Sequence, residues 1–315
     1  MRPSVSIIGA GRAGIAIGLA LKAAAYRIEA VVTKHPATAR RAARLIDPQT
    51  QAATEAQLAK PNQRQRSLLT RASIFIISTP DDAIESVAKR LAAIFKDRAI
   101  GPHHGASTRR VALHTSGALS SKSLNPLRQA GFAVGSLHPL LSISDPQTGA
   151  SLLKRAFFSV EGDPPAVRQA RSIVRDLGGQ VFSLPADAKP LYHAAASIAS
   201  PHLIALFDIA LDVLSSAGVS RRRAQKILIP LVESTLDNLK RQSPARALTG
   251  PFKRRDTATI RKHIAALQSA DLRDALAAYA LLGRRSLAMA ETRTTDNPSR
   301  DTIVRILSAC LTSKV

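Results

Sequence analysis

A chain of 315 residues exceeds the usual size of one hydrophobic core, so two domains are expected. With 45% apolar and 21% charged residues it has the composition of a folded globular protein, and its one cysteine, Cys310, excludes an intrachain disulfide and a cysteine-based metal site. The formal net charge of +23 is spread through both halves, yet aromatic residues make up only 3% and no helix-turn-helix or zinc pattern stands out, so nucleic acid is a poor partner.

The first element is a strand over Val5 to Ile8, apolar as a buried parallel strand must be. Gly9-x-Gly11-x-x-Gly14 follows it, in a stretch whose outline also suits a secretory signal peptide. Arg12 interrupts the apolar core such a peptide needs, and a second strand over Ile28 to Val32 completes a β-turn-α-β unit, so the glycines read as a dinucleotide turn and a cytoplasmic location is expected. Gly9 permits the tight turn, Gly11 lets backbone approach a pyrophosphate, and Gly14 allows helix and strand to pack closely. Ala10, Arg12 and Ala13 complete the turn, and the helix start offers free N–H groups to phosphates.

The end of the second strand discriminates between cofactors. An NAD protein tends to carry an acid there, whereas this chain has Thr33, Lys34, His35, Arg40 and Arg41, which favour the 2′-phosphate of NADP(H) over NAD(H). A helix with Pro at its first turn covers 36–46. The polar stretch 47–70 has no readable role.

A strand at 74–78 then leads through Thr79-Pro80-Asp81, which is expected to wall the cofactor, into a helix from about Asp81. The strand in 109–119 ends at His114 and Ser116-Gly117, and the next, in 131–140, ends at His138. Strands in 156–163 and 179–184 flank a helix over 166–177, giving an α/β, Rossmann-type doubly wound parallel sheet over residues 1–185. Ligands in such sheets sit at the carboxyl ends of strands, which makes Ser116 and His138 candidates to orient a substrate and His114 and Gly117 candidates to contact it.

From 186 to 315 helical patterns replace strands, over 186–217, 220–241, 256–268, 270–292 and 299–312. The longest apolar stretch, 194–211, holds Pro201, His202 and Asp208 and reads as a buried helix, not a membrane span. Lys189, His193 and Ser197 fall at i, i+4 and i+8 on one helix face. Lys189 or His193 could protonate a carbonyl oxygen as hydride arrives, or Lys189 could be a solvated helix-start residue and His193 part of a core. No metal ligand set is evident.

The ordered motifs "GAGRAG" (9–14), "TPDDAI" (79–84), "HTSGAL" (114–119), "SLHPL" (136–140), "KPLYHAAASIAS" (189–200) and "LTGPFKRRD" (248–256) span nearly the whole chain. Together they resemble a bacterial family of NADP oxidoreductases with a Rossmann-like N-terminal domain and a helical C-terminal domain of unknown function. That family lies within the 6-phosphogluconate dehydrogenase-like and β-hydroxyacid dehydrogenase superfamily. The resemblance implies a small-molecule substrate at Ser116-Gly117, Lys189 as the acid, and a homodimer formed through the helical domain. It also implies that Arg254 and Asp256 match the family's Arg and Asp. Arg254 could then hold a carboxylate or phosphate, or Asp256 could simply cap a helix. The chain departs from the family at Pro201, which stands where an Asn is usual and should break the helix. The alternative to an enzyme is a sensor or scaffold that binds NADP(H) without turnover.

Overall fold

The computed structural model describes residues 2–59, 69–96, 110–290 and 298–312. Arg109, the middle of the 47–70 stretch and the last two residues expected in the 270–292 helix lie outside them. The chain divides into two compact units, Met1–Ser197 and Ile198–Val315. The division falls later than 185 because the start of the first long helix belongs to the sheet-bearing unit, in which Lys189 is fully buried.

In the first unit the strands are β1 (Ser4–Ile8), β2 (Arg27–Thr33), β3 (Gln51–Thr54), β4 (Ile74–Ile77), β5 (Val111–His114), β6 (Ala133–Leu140), β7 (Phe157–Gly162) and β8 (Gln180–Phe182). They form one sheet in the order β3-β2-β1-β4-β5-β6-β7-β8. All neighbours run parallel except β6 and β7, which are antiparallel with His138 opposite Ser159. The helices are α1 (Arg12–Ala23), α2 (Pro36–Ile46), α3 (Glu55–Ala59), α4 (Asp81–Lys96), α5 (Asn125–Gln129), α6 (Pro146–Leu152), α7 (Pro164–Asp176) and α8 (Lys189–Ala199). The edge pair β3–α3 occupies the stretch whose role the sequence left unread.

Alternate residues of each strand feed opposite cores, as a pleated sheet buried on both faces requires. Ile7, Val31, Ile76 and Leu113 pack with Ile17 and Leu21 of α1, Ile46 of α2 and Ile173 of α7. Ile8, Val32, Phe75, Ile77 and Ala112 pack on the other face with Ile84, Val87 and Leu91 of α4. Phe75, Phe95 and Phe132 meet edge to face at 5.0–5.7 Å, adding specific geometry to that burial. The order of strands reverses between β1 and β4, and an open α/β sheet binds ligands at the carboxyl ends of such a pair.

The second unit holds α9 (Pro201–Ser216), α10 (Arg221–Arg241), α11 (Pro244–Ala247), α12 (Gly250–Arg254), α13 (Thr257–Ser269), α14 (Arg273–Met289) and α15 (Pro298–Thr312). Its core is Ile260, Ile264, Ala280, Leu287, Ile303 and Leu307. Pro201 does break the helix: α8 ends at Ala199, and Ser200 (φ −125°, ψ −81°) turns the chain into α9. The expected burial of the apolar stretch is not met. Of α9 only Leu211 is buried, and Leu203, Ile204 and Leu206 are exposed. The segment 186–216 is long and apolar enough to cross a membrane, but its first part is committed to hydrogen bonds of the first unit through Lys189 and Tyr192. A membrane span could not keep them.

One long-range tie closes the N-terminal corner. The buried Tyr26, just before β2, donates its hydroxyl to Asp176 at the end of α7 (2.7 Å), and Arg2 pairs with the same carboxylate while lying 5.2 Å over the tyrosine ring. Burial, then the neighbouring Asp176, pushes the Tyr26 hydroxyl up to about 12. Tyr26→Phe leaves Asp176 with one partner fewer, and urea unfolding is expected to show a loss of about 1–2 kcal/mol.

Candidate active site

The cleft of the first unit, about 460 Å³, opens at the carboxyl ends of β1, β4, β5 and β6. One wall is the glycine turn. Gly9 has φ +97°, and a Cβ there would strike the Ser78 carbonyl. A Cβ at Gly14 would strike the Gly9 carbonyl. These two glycines are thus required by backbone crossing backbone. Gly11 differs: its φ is −71° and nothing lies within 4 Å of the place its Cβ would take. The fold leaves that space open beside the first turn of α1, whose N-terminus has no side-chain cap. Arg12, Ala13, Thr79 and Pro80 line the same wall, and the Thr79 hydroxyl is buried without a hydrogen-bond partner. Unused N–H groups, an open approach at Gly11 and an orphaned hydroxyl together fit a dinucleotide pyrophosphate.

At the end of β2, Thr33 is buried and spends its hydroxyl on the His35 carbonyl (2.8 Å), so it shapes the turn rather than offering a free group. Lys34, His35, Arg40 and Arg41 are exposed beyond it.

The opposite wall contains Ser116, Gly117, His138 and His193. Ser116 is fully engaged. Its hydroxyl donates to Asp81 (2.9 Å) and accepts from the backbone N–H groups of Ala118 and Leu119 (3.2 and 2.9 Å), so it holds the turn after β5 and has no hydroxyl to spare for a substrate. His114 is fully buried and outside the cleft lining, contrary to a substrate-contacting role. Its Nδ1 accepts from the Ser116 N–H (3.2 Å), and burial, then Lys189, holds it down to about 3.

Lys189 is also fully buried and does not line the cleft. Its ammonium donates to the Ser136 hydroxyl (2.6 Å) and the Ser116 carbonyl (3.1 Å). Lys189 is thus not a solvated helix-start residue, and it does not reach the cleft where it was expected to act as the acid. Burial lowers its pKa to about 8, against the opposing pull of Glu161 and Asp81. Glu161 in turn accepts from the N–H and hydroxyl of Ser121 (2.6 and 2.9 Å).

His138 and His193 face the cleft over Gly117. Their rings lie 5.8 Å apart, nearly perpendicular. A Cβ at Gly117 would sit 2.8 Å from His138 Nε2 and would overlap His193 Nδ1, so only glycine fits. Burial, then the charges of Lys189 and His193, pushes His138 down to about 4. Ser197, predicted on the same helix face, returns its hydroxyl to the His193 carbonyl (2.9 Å) and holds the helix instead. The sequence reading passed over Tyr192, whose hydroxyl meets His138 Nδ1 at 2.6 Å. It lies three residues from Lys189 and therefore on the same helix face, a signal that was present in the spacing. Asp81 and Ser136 lie within the motifs 79–84 and 136–140 but were not read as partners of Ser116 and Lys189, and Glu161 was not singled out.

Arg254 and Asp256 belong to the second unit. Asp256 caps α13 by accepting from the Thr259 N–H (3.0 Å) and hydroxyl (2.7 Å), which also holds its carboxyl below the usual range. It is a helix cap, not a substrate ligand. Arg254 is exposed at the end of α12. Among the described residues no group of three or more metal-ligating side chains forms.

Residues 1–139 match the family described as a Rossmann-like domain, and residues 156–286 match the domain of unknown function DUF2520. No curated protein matches the chain. Among solved structures, a Bacteroides fragilis protein described as a candidate NADP oxidoreductase aligns at 20% identity and TM-score 0.68, covering 91% of this chain and 98% of its own. A Thermotoga maritima protein aligns at 21% and 0.59, with 98% of both chains covered. An imine reductase from Myxococcus stipitatus, in complex with NADP+, aligns at 14% and 0.61, covering 97% of this chain and 100% of its own. The likeness is one of fold and agrees with the resemblance carried by the motifs.

Two tests follow from the geometry. Gly11→Ala should leave the unfolding free energy within about 0.5 kcal/mol of the original while weakening dinucleotide binding at least about tenfold, whereas Gly9→Ala should cost more than about 2 kcal/mol of stability. Equal effects of the two would remove the distinction. For Lys189, the unfolded state binds more protons than the folded one between pH 8 and 10.5. The stability of the original chain relative to Lys189→Met should therefore rise across that window, by up to about 3 kcal/mol, in denaturant titrations at stepped pH.

Proposed function

We propose that this chain, a Rossmann-like domain joined to a DUF2520 domain, is an NADP(H)-dependent oxidoreductase that reduces the carbonyl or imine of a small metabolite. The observation that carries the reading is a single cleft with an open, uncapped glycine turn on one wall and two inward imidazoles on the other. Gly9 to Gly14, with Thr79 and Pro80, would hold the pyrophosphate and adjoining ribose. Lys34, His35, Arg40 and Arg41 would meet a 2′-phosphate, which a carboxylate at the same place would repel. Bound there, the dinucleotide supplies the hydride.

The chain's own residues handle the proton and the orientation. His138 and His193 present ring nitrogens to the cleft and are the groups placed to touch the reacting atoms. Lys189 is a positioning residue: by gripping the Ser116 carbonyl it fixes the turn on which Gly117 sits. Asp81, through the Ser116 hydroxyl, does the same from α4.

A homodimer through the second unit accompanies this reading. Leu203, Ile204, Ile227, Leu231 and Leu281 are exposed, and a groove of about 780 Å³ between α9, α13 and α14 is lined mainly by apolar side chains, which would favour such an association. The lone free cysteine suits the reducing cytoplasm, where we place the protein.

Titration of the purified protein with NADPH and NADH, followed by nucleotide fluorescence at near-physiological salt, tests the cofactor. NADPH is expected to bind at least about tenfold more tightly, a difference of about 1.4 kcal/mol, and the gap should collapse in the Arg40→Ala/Arg41→Ala double variant. Equal affinities would remove the 2′-phosphate assignment, and no binding of either nucleotide would sink the oxidoreductase reading.

A further inference from the structure

Tyr192 stands behind the cleft wall, against His138, with a role that neither its motif nor the fold assigns. Its ring meets His138 edge to face at 5.6 Å and 83°, and Phe182 at 5.6 Å on another side. Packing therefore aims the hydroxyl, which reaches His138 Nδ1 at 2.6 Å. Burial raises the Tyr192 hydroxyl above its ordinary value, so it keeps its proton at neutral pH. The neighbouring Ser159 hydroxyl moderates that rise without reaching hydrogen-bond geometry. A half-buried O–H does best with a partner, and Nδ1 is the acceptor within reach.

His138 carries a single ring proton at neutral pH, because burial and the nearby Lys189 and His193 disfavour a second. If the phenol donates into Nδ1, that proton sits on Nε2. Nε2 is the atom directed at Gly117, where the buried His193 Nδ1 also points with no hydrogen-bond partner. Lys189 itself does not line the cleft, and its ammonium is turned to the Ser116 carbonyl and the Ser136 hydroxyl.

Resting on the oxidoreductase reading, we infer that Tyr192 is a positioning residue that locks His138 as its Nε2–H tautomer, so that the group reduced must accept a hydrogen bond. That selects a carbonyl oxygen or an unprotonated imine nitrogen over an iminium cation, which has no lone pair to offer. As hydride adds to the carbon, the π pair of C=O or C=N moves onto the heteroatom. The heteroatom takes the Nε2 proton, Nδ1 takes the phenol proton, and the phenolate regains one from water. The substrate gains one hydride and one proton, and the dinucleotide is oxidised by two electrons. An alkoxide is a far stronger base than a phenolate, so the relay runs downhill even from a phenol of raised pKa.

The test is ring 15N NMR of histidine-labelled protein between pH 5.5 and 8, with and without NADPH. The His138 signals are assigned by their loss in His138→Gln. The original chain should show Nδ1 as acceptor and Nε2 protonated. Tyr192→Phe, which keeps the ring packing, should show mixed tautomers. A dominant Nδ1–H form in the original chain overturns the inference by itself, and so does an unchanged pattern in Tyr192→Phe. Because the readout needs no substrate, failure of the oxidoreductase reading shows separately: NADPH would not bind while the tautomer lock persisted, which would support the lock and remove its catalytic use.

Discussion

The cleft depends on one buried ammonium. Lys189 opens α8 and donates to the Ser136 hydroxyl on β6 and to the Ser116 carbonyl after β5, so one side chain pins the helix to two neighbouring strands. An amine in such surroundings loses its hydration, and the lowering of its pKa to about 8 measures that loss after Glu161 and Asp81 have returned part of it. What the sheet gains is geometry. With α8 fixed at its first residue, Tyr192 and His193 follow one turn later and land against His138 and Gly117 without a further anchor. The same bond explains why the compact first unit extends past the last strand to Ser197.

The three glycines of the first turn divide by cause. At Gly9 and Gly14 a side chain would collide with backbone of the turn itself or of β4's end, so those positions answer to the fold. At Gly11 the conformation is one any residue adopts and the space beyond is open, so the fold does not need glycine there. A ligand that must come within touching distance of backbone does. Gly117 is a third case: the space a side chain would take is filled by the imidazoles of His138 and His193, so glycine there lets both rings reach the cleft.

Much of this was legible in the sequence because it is local. The strand–turn–helix context of Gly9 to Gly14 is set by residues within one βαβ unit, and the shared face of Lys189, His193 and Ser197 follows from helical spacing alone. The direction of those side chains was not legible. Whether an ammonium at a helix start meets water or two serine oxygens depends on strands more than fifty positions away. The edge strand β3, "QAAT", has no apolar alternation, so its pairing with β2 comes from the sheet and not from its own pattern. The antiparallel turn of β7 is likewise a matter of which neighbour is free, because a strand's composition does not encode its direction. Asp256 was legible as a cap or as a ligand, and only its bonds to Thr259 decide for the cap. For α9, apolar content suggested burial, but content does not say whether the covering surface lies within the same chain.

The placement of charge gives the site its chemical character. In a protein of net charge +23, two buried imidazoles are held neutral: His138 on the cleft wall at about 4, and His114 behind it at about 3. The main cause is burial, and the positive charge of the nearby Lys189 adds to it in making a second cation costly. The fixed ammonium thus serves twice: its hydrogen bonds set the position of the cleft wall, and its field reinforces the effect of burial on His138. A neutral imidazole can polarise a carbonyl or imine and pass on a proton without binding the anionic parts of a ligand in the wrong place. Under the proposed reading, Arg12 and the exposed cluster beyond β2 supply cations where phosphates would lie, while His138 on the facing wall carries no charge at neutral pH.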